Sequence, residues 1–113
     1  LRTILGDPKR DAADRTRLAE RLGQSLAELH AAGIHHPDCS AKHVYVEPTS
    51  LAVRLIDWAG ATLRTPTWRE AARSFAMLHA SLHENLASDR ERLRVLWSYR
   101  RTLRASGSTI VLP

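Results

Sequence analysis

Two short β-rich runs are the feature that most constrains how this chain can fold. They cover residues 43–47 and 52–57 and are separated by Pro48-Thr49-Ser50, a sequence typical of turns, so they predict an antiparallel hairpin. A two-stranded hairpin is at best marginally stable by itself in water. We therefore expect the hairpin to pack against helices formed by the rest of the chain.

Helical patterns lie on both sides of the predicted hairpin. A first helix is predicted over residues 11–32, with Gly33 just past its end in the position that favours a left-handed residue. A second is predicted from residue 67 or 68 to 82, and a third from Ser88, which forms a capping box with Glu91, to Gly107. The residues before the first helix contain Gly6-Asp7-Pro8 and are predicted to be irregular. The three apolar stripes are Leu18, Leu22, Leu26 and Leu29; Ala71, Phe75, Leu78 and Leu82; and Leu93, Leu96, Trp97 and Leu103.

The predicted fold class is α+β, mainly α, in a single unit covering residues 1–113. Hydrophobic residues make up 43% and charged residues 26%, a balance typical of globular domains. No apolar run approaches the roughly 20 residues of a membrane-spanning helix. The single cysteine, Cys39, excludes an internal disulfide and fits a reducing compartment. Because the chain begins with Leu1, we expect it to be cut from something longer.

The net charge of +5 raises the question of a polyanionic partner. The arginines are spread along the predicted helices between apolar positions, which is typical of solvated helix faces. We therefore expect no nucleic-acid partner, although phosphate-bearing substrates or lipid headgroups would benefit from the positive field.

Two acidic residues occupy special places beside the hairpin. Asp38 lies in the polar loop before the first strand, and Asp57 ends the second. Because a hairpin brings the start of its first strand close to the end of its second, both carboxylates should emerge at one edge, with His43 between them. Phosphoryl transfer uses one carboxylate to accept a hydroxyl proton and another to hold Mg²⁺ on the nucleotide phosphates. Acidic residues at strand ends also occur for solubility alone.

Three segments together resemble a kinase active site. In His36-Pro37-Asp38, followed by His43 five residues after the Asp, the spacing is that of the kinase catalytic loop. Leu55-Ile56-Asp57-Trp58 is similar to the strand that leads into the metal-binding Asp, and Leu29-His30-Ala31-Ala32-Gly33-Ile34 is similar to the helix end that precedes the loop. With His43 where protein kinases have Asn, the chain resembles the bacterial lipopolysaccharide kinase family, which phosphorylates Kdo and heptose.

This resemblance implies roles for individual residues, with ATP and Mg²⁺ as cofactors. Asp38 would be the catalytic base that accepts the substrate hydroxyl proton, and Asp57 would bind Mg²⁺. His43 would take the second-metal or phosphate-facing position, and Lys42 would offset phosphate charge or simply be solvated. His36 would brace the loop.

The resemblance also implies a protein-kinase-like carboxy-terminal lobe that carries its active-site loop on the hairpin. The amino-terminal lobe, with its glycine-rich loop and lysine, is expected to lie outside this chain, so little activity is expected from the chain alone. The short segment 60–67 favours a small molecule or a sugar as the hydroxyl acceptor. We expect a cytoplasmic enzyme; peripheral contact with the inner membrane is left open, and the oligomeric state is not predicted.

There are two alternatives to an active kinase: the first keeps the kinase fold without its activity, and the second is a different class of protein. Pro37 in place of the usual arginine, together with His43, allows a catalytically silent pseudokinase or scaffold lobe. A basic helical nucleic-acid-binding module would need exposed aromatics such as Trp68, Trp97 and Tyr99, but Trp97 falls near an apolar stripe and is predicted to be core.

Two further alternatives rest on short motifs. The cluster of His35, His36, Cys39 and His43 suggests zinc, but no second ligand cluster accompanies it. The tripeptide His36-Pro37-Asp38 also matches J-domain cochaperones, in which it lies between two long helices; here a β-rich run follows it.

Overall fold

One small sheet lies between helices in the order of the chain, as the sequence predicts. In a computed structural model, residues 1–83 and 85–107 are described, and within them lie a short helix α1 (Arg2–Leu5) and the longer helices α2 (Ala12–Ala31), α3 (Trp68–Ser81) and α4 (Asp89–Ala105). Two strands, β1 (Val44–Val46) and β2 (Val53–Leu55), form an antiparallel pair, and a 3-10 turn (Ala41–His43) leads into β1. The predicted class, α+β and mainly α, is confirmed.

The ends of α2 explain why it stops where the catalytic-loop-like segment begins. At its start, the Asp11 side chain accepts a hydrogen bond from the backbone N–H of Asp14 at 2.8 Å. At its end, Gly33 has a φ of +78°, its N–H donates to the His30 carbonyl, and the Ile34 N–H donates to the Leu29 carbonyl. This pair of bonds is a Schellman motif, which reverses the chain direction and requires the left-handed glycine.

Helices α2 and α4 pack closely along their length, and both contribute side chains to the core. Their backbones approach at Gly23, where a Cβ atom would lie only 2.3 Å from the Val95 carbonyl oxygen. Next to it, the Ser98 hydroxyl donates to the Glu20 carbonyl at 2.6 Å. Position 23 lies in the middle of a helix, so its backbone conformation does not require glycine. Glycine is needed there because α4 leaves no space for a side chain. The buried hydrophobic cluster includes Leu18, Leu22, Leu26, Val44, Val46, Leu51, Ala71, Leu78, Tyr99 and Leu103.

The hairpin is held against this core through one face of β1. Val44 and Val46 are buried, whereas Tyr45 between them is half exposed. The strands pair in the register Val44 with Leu55 and Val46 with Val53. The predicted packing of the hairpin against the helices is confirmed.

Capping boxes begin both carboxy-terminal helices, and an arginine of α2 bonds the start of α4. Ser88 and Glu91 form the predicted box at α4. The Arg15 side chain, from α2, bonds Glu91 at 2.8 Å and the carbonyl of Leu5 at 2.8 Å. These contacts stabilise the start of α4 against α2 and α1.

Two predictions about local structure are wrong. Residues 2–5 form a helical turn with Ile4 buried, because Ile4 joins the hydrophobic cluster, whereas this segment was predicted to be irregular. Trp97 was predicted to be core but is 48% exposed. The inward face of α4 is centred on Ser98 and Tyr99, so Trp97 points to solvent.

Candidate active site

The polar loop after α2 is fixed at its start to the segment that follows the hairpin. His35 and Thr62 form an isolated antiparallel bridge, with N–H to carbonyl distances of 2.9 and 3.0 Å. The loop before β1 and the loop after β2 therefore leave the hairpin side by side. This brings the residues around Asp38 and Asp57 to the same edge of the molecule.

His36 braces this loop with both of its ring nitrogens. The ring is fully buried, and its Nδ1 accepts the backbone N–H of Asp38 at 3.1 Å. Because Nδ1 is an acceptor, the proton of the neutral ring is on Nε2, which donates to the Ile56 carbonyl at 3.1 Å. The Trp58 ring packs edge-on against it, with 5.0 Å between the ring centroids. The contacts expected of a bracing histidine are present.

His43 lies between the two carboxylates that the sequence singled out. Its Nδ1 is 3.1 Å from an Asp38 carboxylate oxygen, and its Nε2 is 3.1 Å from an Asp57 carboxylate oxygen. The imidazole is largely buried, whereas about half of each carboxylate side chain is exposed, 44% for Asp38 and 53% for Asp57. The structure therefore brings together Asp38, His43 and Asp57, with the free sides of both carboxylates facing solvent.

Hairpin geometry produces this arrangement. The Ile56 N–H donates to the His43 carbonyl at 2.8 Å, which extends the strand pairing one step beyond Val44 and Leu55. The next residue, Asp57, has a φ of +59°, a left-handed conformation that is uncommon outside glycine. This turn redirects the chain, and the Asp57 side chain contacts His43. Non-glycine residues held in such conformations are concentrated at functional sites.

Local hydrogen bonds and charges favour the ionised form of Asp38. The backbone N–H of Ser40 donates to the Asp38 carboxylate at 3.3 Å. Hydrogen bonding from Ser40 lowers the pKa of Asp38, and the nearby His43 and Lys42 act in the same direction. Lys42 is exposed on the 3-10 turn, next in sequence to His43. Asp38 is therefore a carboxylate at neutral pH, able to accept a proton.

The donor set suits Mg²⁺ better than zinc. Mg²⁺ in phosphoryl-transfer sites takes one or two carboxylates together with phosphate oxygens and water, and Asp57 has exposed oxygen available for this. Both ring nitrogens of His43 face carboxylate oxygens. His43 could therefore bind a metal only if one of these two contacts were broken. Its metal-binding or phosphate-facing role stays a prediction.

The zinc alternative receives no support from the geometry. Both ring nitrogens of His36 are used in hydrogen bonds, and Cys39 is buried, which raises the pKa of its thiol. Within residues 1–83 and 85–107, no three His, Cys, Asp or Glu side chains are arranged to hold a metal by themselves.

One polar cluster beside the site was missed by the sequence reasoning. The Glu70 carboxylate, at the start of α3, accepts a hydrogen bond from Arg64 at 2.6 Å and lies 3.5 Å from His35 Nε2. Hydrogen bonds from Arg64 and Thr67 hold the pKa of Glu70 well below its usual range. The cluster ties α3 to the loop that carries Asp38. The sequence contained a signal for it, because Thr67 and Glu70 have capping-box spacing.

One carboxylate lies before the first strand and the other lies after the second, and the loop and the hairpin bring the two side by side. This arrangement is typical of the kinase class. Comparison with known proteins gives the particular family: the model of the lipopolysaccharide kinase (Kdo/WaaP) family matches residues 3–99, and the chain belongs to this family. The predicted family resemblance is confirmed.

Two curated relatives allow a finer comparison. The chain is 35% identical over 79 residues to a 3-deoxy-D-manno-octulosonic acid kinase of Xanthomonas oryzae pv. oryzae strain PXO99A, and equally to that of strain KACC10331 / KXO85. The aligned region is 65% of this chain and 31% of each relative, so it spans about a third of their length. No solved structure matches the chain significantly.

Proposed function

We propose that the protein containing this chain transfers the γ-phosphate of ATP to a hydroxyl group on a sugar of lipopolysaccharide. The observation that carries the proposal is the position of His43, with its two ring nitrogens each 3.1 Å from one of the carboxylates of Asp38 and Asp57. Family membership supports a kinase. The names of the relatives support a Kdo-type acceptor among the sugars.

In this proposal Asp38 is the catalytic base. The oxygen of the acceptor hydroxyl forms a bond to the γ-phosphorus, the bond from that phosphorus to the bridging oxygen of ADP breaks, and the hydroxyl proton passes to Asp38. The exposed side of Asp38 leaves room for the acceptor. The Ser40 N–H holds the carboxylate in place.

Asp57 is proposed to hold Mg²⁺ on the nucleotide phosphates. A bound Mg²⁺ neutralises charge on the β- and γ-phosphates during transfer. The left-handed turn at Asp57 and its contact with His43 would fix the carboxylate for this role. His43 would set the spacing between the two carboxylates, and the exposed Lys42 would offset charge on the transferred phosphate.

The remainder of the nucleotide pocket is proposed to come from residues outside this chain, which would form the other lobe of a protein-kinase-like fold. This assigns the described residues to the carboxy-terminal lobe. The partners are then a nucleotide and a sugar acceptor, with no nucleic acid, and the proposed location is the cytoplasm. A pseudokinase or scaffold lobe is the alternative outcome of the test.

The test is Mg²⁺-dependent phosphate transfer by the whole protein in which this chain occurs. Kdo-containing lipopolysaccharide precursor and radiolabelled ATP are supplied, and label in the acceptor is measured. The wild-type protein should label the acceptor, and the Asp57→Asn variant should label it far more slowly at the same Mg²⁺ concentration. A matched control is Glu28→Gln, which removes a carboxylate from an exposed position on α2. Binding of Mg-ATP without transfer to any sugar acceptor would contradict the proposal and favour the pseudokinase.

A further inference from the structure

The outward side of α4 combines exposed apolar side chains with a dense set of arginines. Leu93, Leu96 and Trp97 are 64%, 44% and 48% exposed. Within α4, which the structure describes completely, the acidic residues are Asp89 in the first turn and Glu91, whose carboxylate is bonded to Arg15. A contiguous exposed apolar patch on a domain often marks an interaction surface. The arginines on or bordering this side are Arg90, Arg94, Arg100, Arg101 and Arg104.

Trp97 is the centre of this surface. The guanidinium carbons of Arg94 and Arg101 lie 5.1 and 5.2 Å from its ring centroid, which is within cation–π distance. A nucleobase stacks on the face of an aromatic ring and would compete with these cations for that face. The other large exposed side chains on this side of α4, Leu93 and Leu96, have no stacking surface. The combination favours a lipid interface over a nucleic acid.

The surface continues across a groove onto α3. Trp68, at the start of that helix, is 44% exposed and has the Arg69 guanidinium 5.6 Å from its ring centroid. Between α3 and α4 lies a cavity of about 340 Å³. Its lining, largely apolar, consists of Trp68, Ala71, Ala72, Phe75, Leu96, Tyr99 and Arg100.

We propose that this basic aromatic face, defined by Trp68, Leu93, Leu96, Trp97, Arg100, Arg101 and Arg104, docks on the surface of an anionic phospholipid bilayer. Arginines would bind headgroup phosphates, while the tryptophans and leucines enter the interfacial layer, where such side chains are favoured. No helix among the described residues is long and apolar enough to cross a membrane. The proposal does not depend on the kinase chemistry, because none of these residues belongs to the candidate active site.

The experiment is co-sedimentation of the whole protein with vesicles of phosphatidylcholine, with and without phosphatidylglycerol. Binding should require phosphatidylglycerol and weaken as salt is raised. Each arginine removed near an anionic surface should weaken binding about fivefold, so Arg101→Gln with Arg104→Gln should lower affinity by more than tenfold. Leu93→Ser with Trp97→Ser should lower it by at least about tenfold through lost apolar contact.

A matched control separates this surface from net charge. Arg17→Gln with Arg54→Gln removes the same charge from exposed positions on α2 and β2 and should leave vesicle binding within about twofold of wild type. Equal weakening by both arginine pairs, equal binding to neutral vesicles, or binding to a DNA oligonucleotide in place of vesicles would overturn the proposal. Circular dichroism checks that each variant is folded, and Asp57→Asn should bind vesicles normally whether or not the kinase proposal is correct.

Discussion

The buried ring of His36 donates a hydrogen bond to the Ile56 carbonyl at 3.1 Å and so joins the loop before β1 to the residue that precedes Asp57. The same ring accepts the Asp38 N–H at 3.1 Å. One side chain therefore fixes the backbone beside both carboxylates. It contacts neither of the atoms that would react, which makes it a positioning residue.

Replacing His36 by Phe tests this positioning role. The substitution keeps a ring but leaves the Asp38 N–H and the Ile56 carbonyl without their partner, which should lower the free energy of unfolding by about 1–3 kcal/mol. In the whole enzyme kcat should fall more than tenfold with a smaller change in KM, because the carboxylates lose their relative placement. Urea unfolding and steady-state kinetics measure the two effects.

Cys39→Ala is the matched control for the His36 variant. Cys39 lies in the same loop and is equally buried, and its thiol donates to the His36 carbonyl at 3.5 Å. It should lower stability by about 1 kcal/mol and leave kcat within a few-fold of wild type. A similar kcat loss in both variants would show that His36 acts through general stability.

The two carboxylates should differ in kinetic signature. Asp38→Asn removes the proposed base, so kcat should fall at least about 100-fold while the dependence on Mg²⁺ is unchanged. Asp57→Asn removes a proposed metal ligand, so the Mg²⁺ concentration needed for half-maximal rate should rise as kcat falls. Initial rates over a Mg²⁺ titration distinguish them. Identical Mg²⁺ dependence in both variants would contradict the assignment of separate roles.

The helix end, the turn and the strands that carry this site could be predicted from the sequence because each depends on the preferences of neighbouring residues. The left-handed Gly33, the turn after Glu47 and the alternating strand residues follow from short-range preferences. Hairpin geometry alone then predicted that Asp38 and Asp57 would approach His43. The boundaries of α2 differ from the prediction by one residue at each end, because its flanking residues Asp11 and Ala32 are caps.

Contacts between distant segments could not be predicted in this way. Which side of α4 faces inward depends on the close approach of Gly23 to Val95, 72 positions apart in the sequence. An apolar stripe alone therefore placed Trp97 inside. The use of both His43 nitrogens likewise depends on rotamers of Asp38 and Asp57 that spacing does not specify.

Buried His30 should make stability depend on pH. Burial lowers the pKa of His30 from 6.5 to about 4, with nearby His35 adding to the effect. Between pH 6.5 and about 4, His30 is protonated in the unfolded chain but stays neutral in the folded chain. The free energy of unfolding should therefore fall as pH falls. The full effect, present above pH 6.5, is up to about 3 kcal/mol. Urea unfolding at pH 5 and pH 7 measures about half of it.

Two variants separate His30 from other groups in this pH test. His30→Phe removes the titrating ring, so its loss of stability between pH 7 and pH 5 should be smaller than that of wild type. Tyr99→Phe removes the hydroxyl that lies 2.6 Å from His30 Nδ1 but leaves the titrating group, so its pH dependence should persist. An unchanged pH dependence in His30→Phe would assign the effect to another residue.

Replacing Gly23 by alanine should destabilise the protein although Gly23 lies within a helix. Alanine in place of glycine in a helix interior ordinarily stabilises by up to about 1 kcal/mol. Here a Cβ atom would lie 2.3 Å from the Val95 carbonyl and 2.8 Å from the Tyr99 nitrogen, and both obstacles are backbone. Gly23→Ala must push α4 away from α2, so we expect it to lower the free energy of unfolding by about 1–3 kcal/mol. The exposed neighbour Gln24 provides the control, because Gln24→Ala should be neutral within about 0.5 kcal/mol. A Gly23→Ala protein as stable as wild type would show that the two helices pack less closely than the structure indicates.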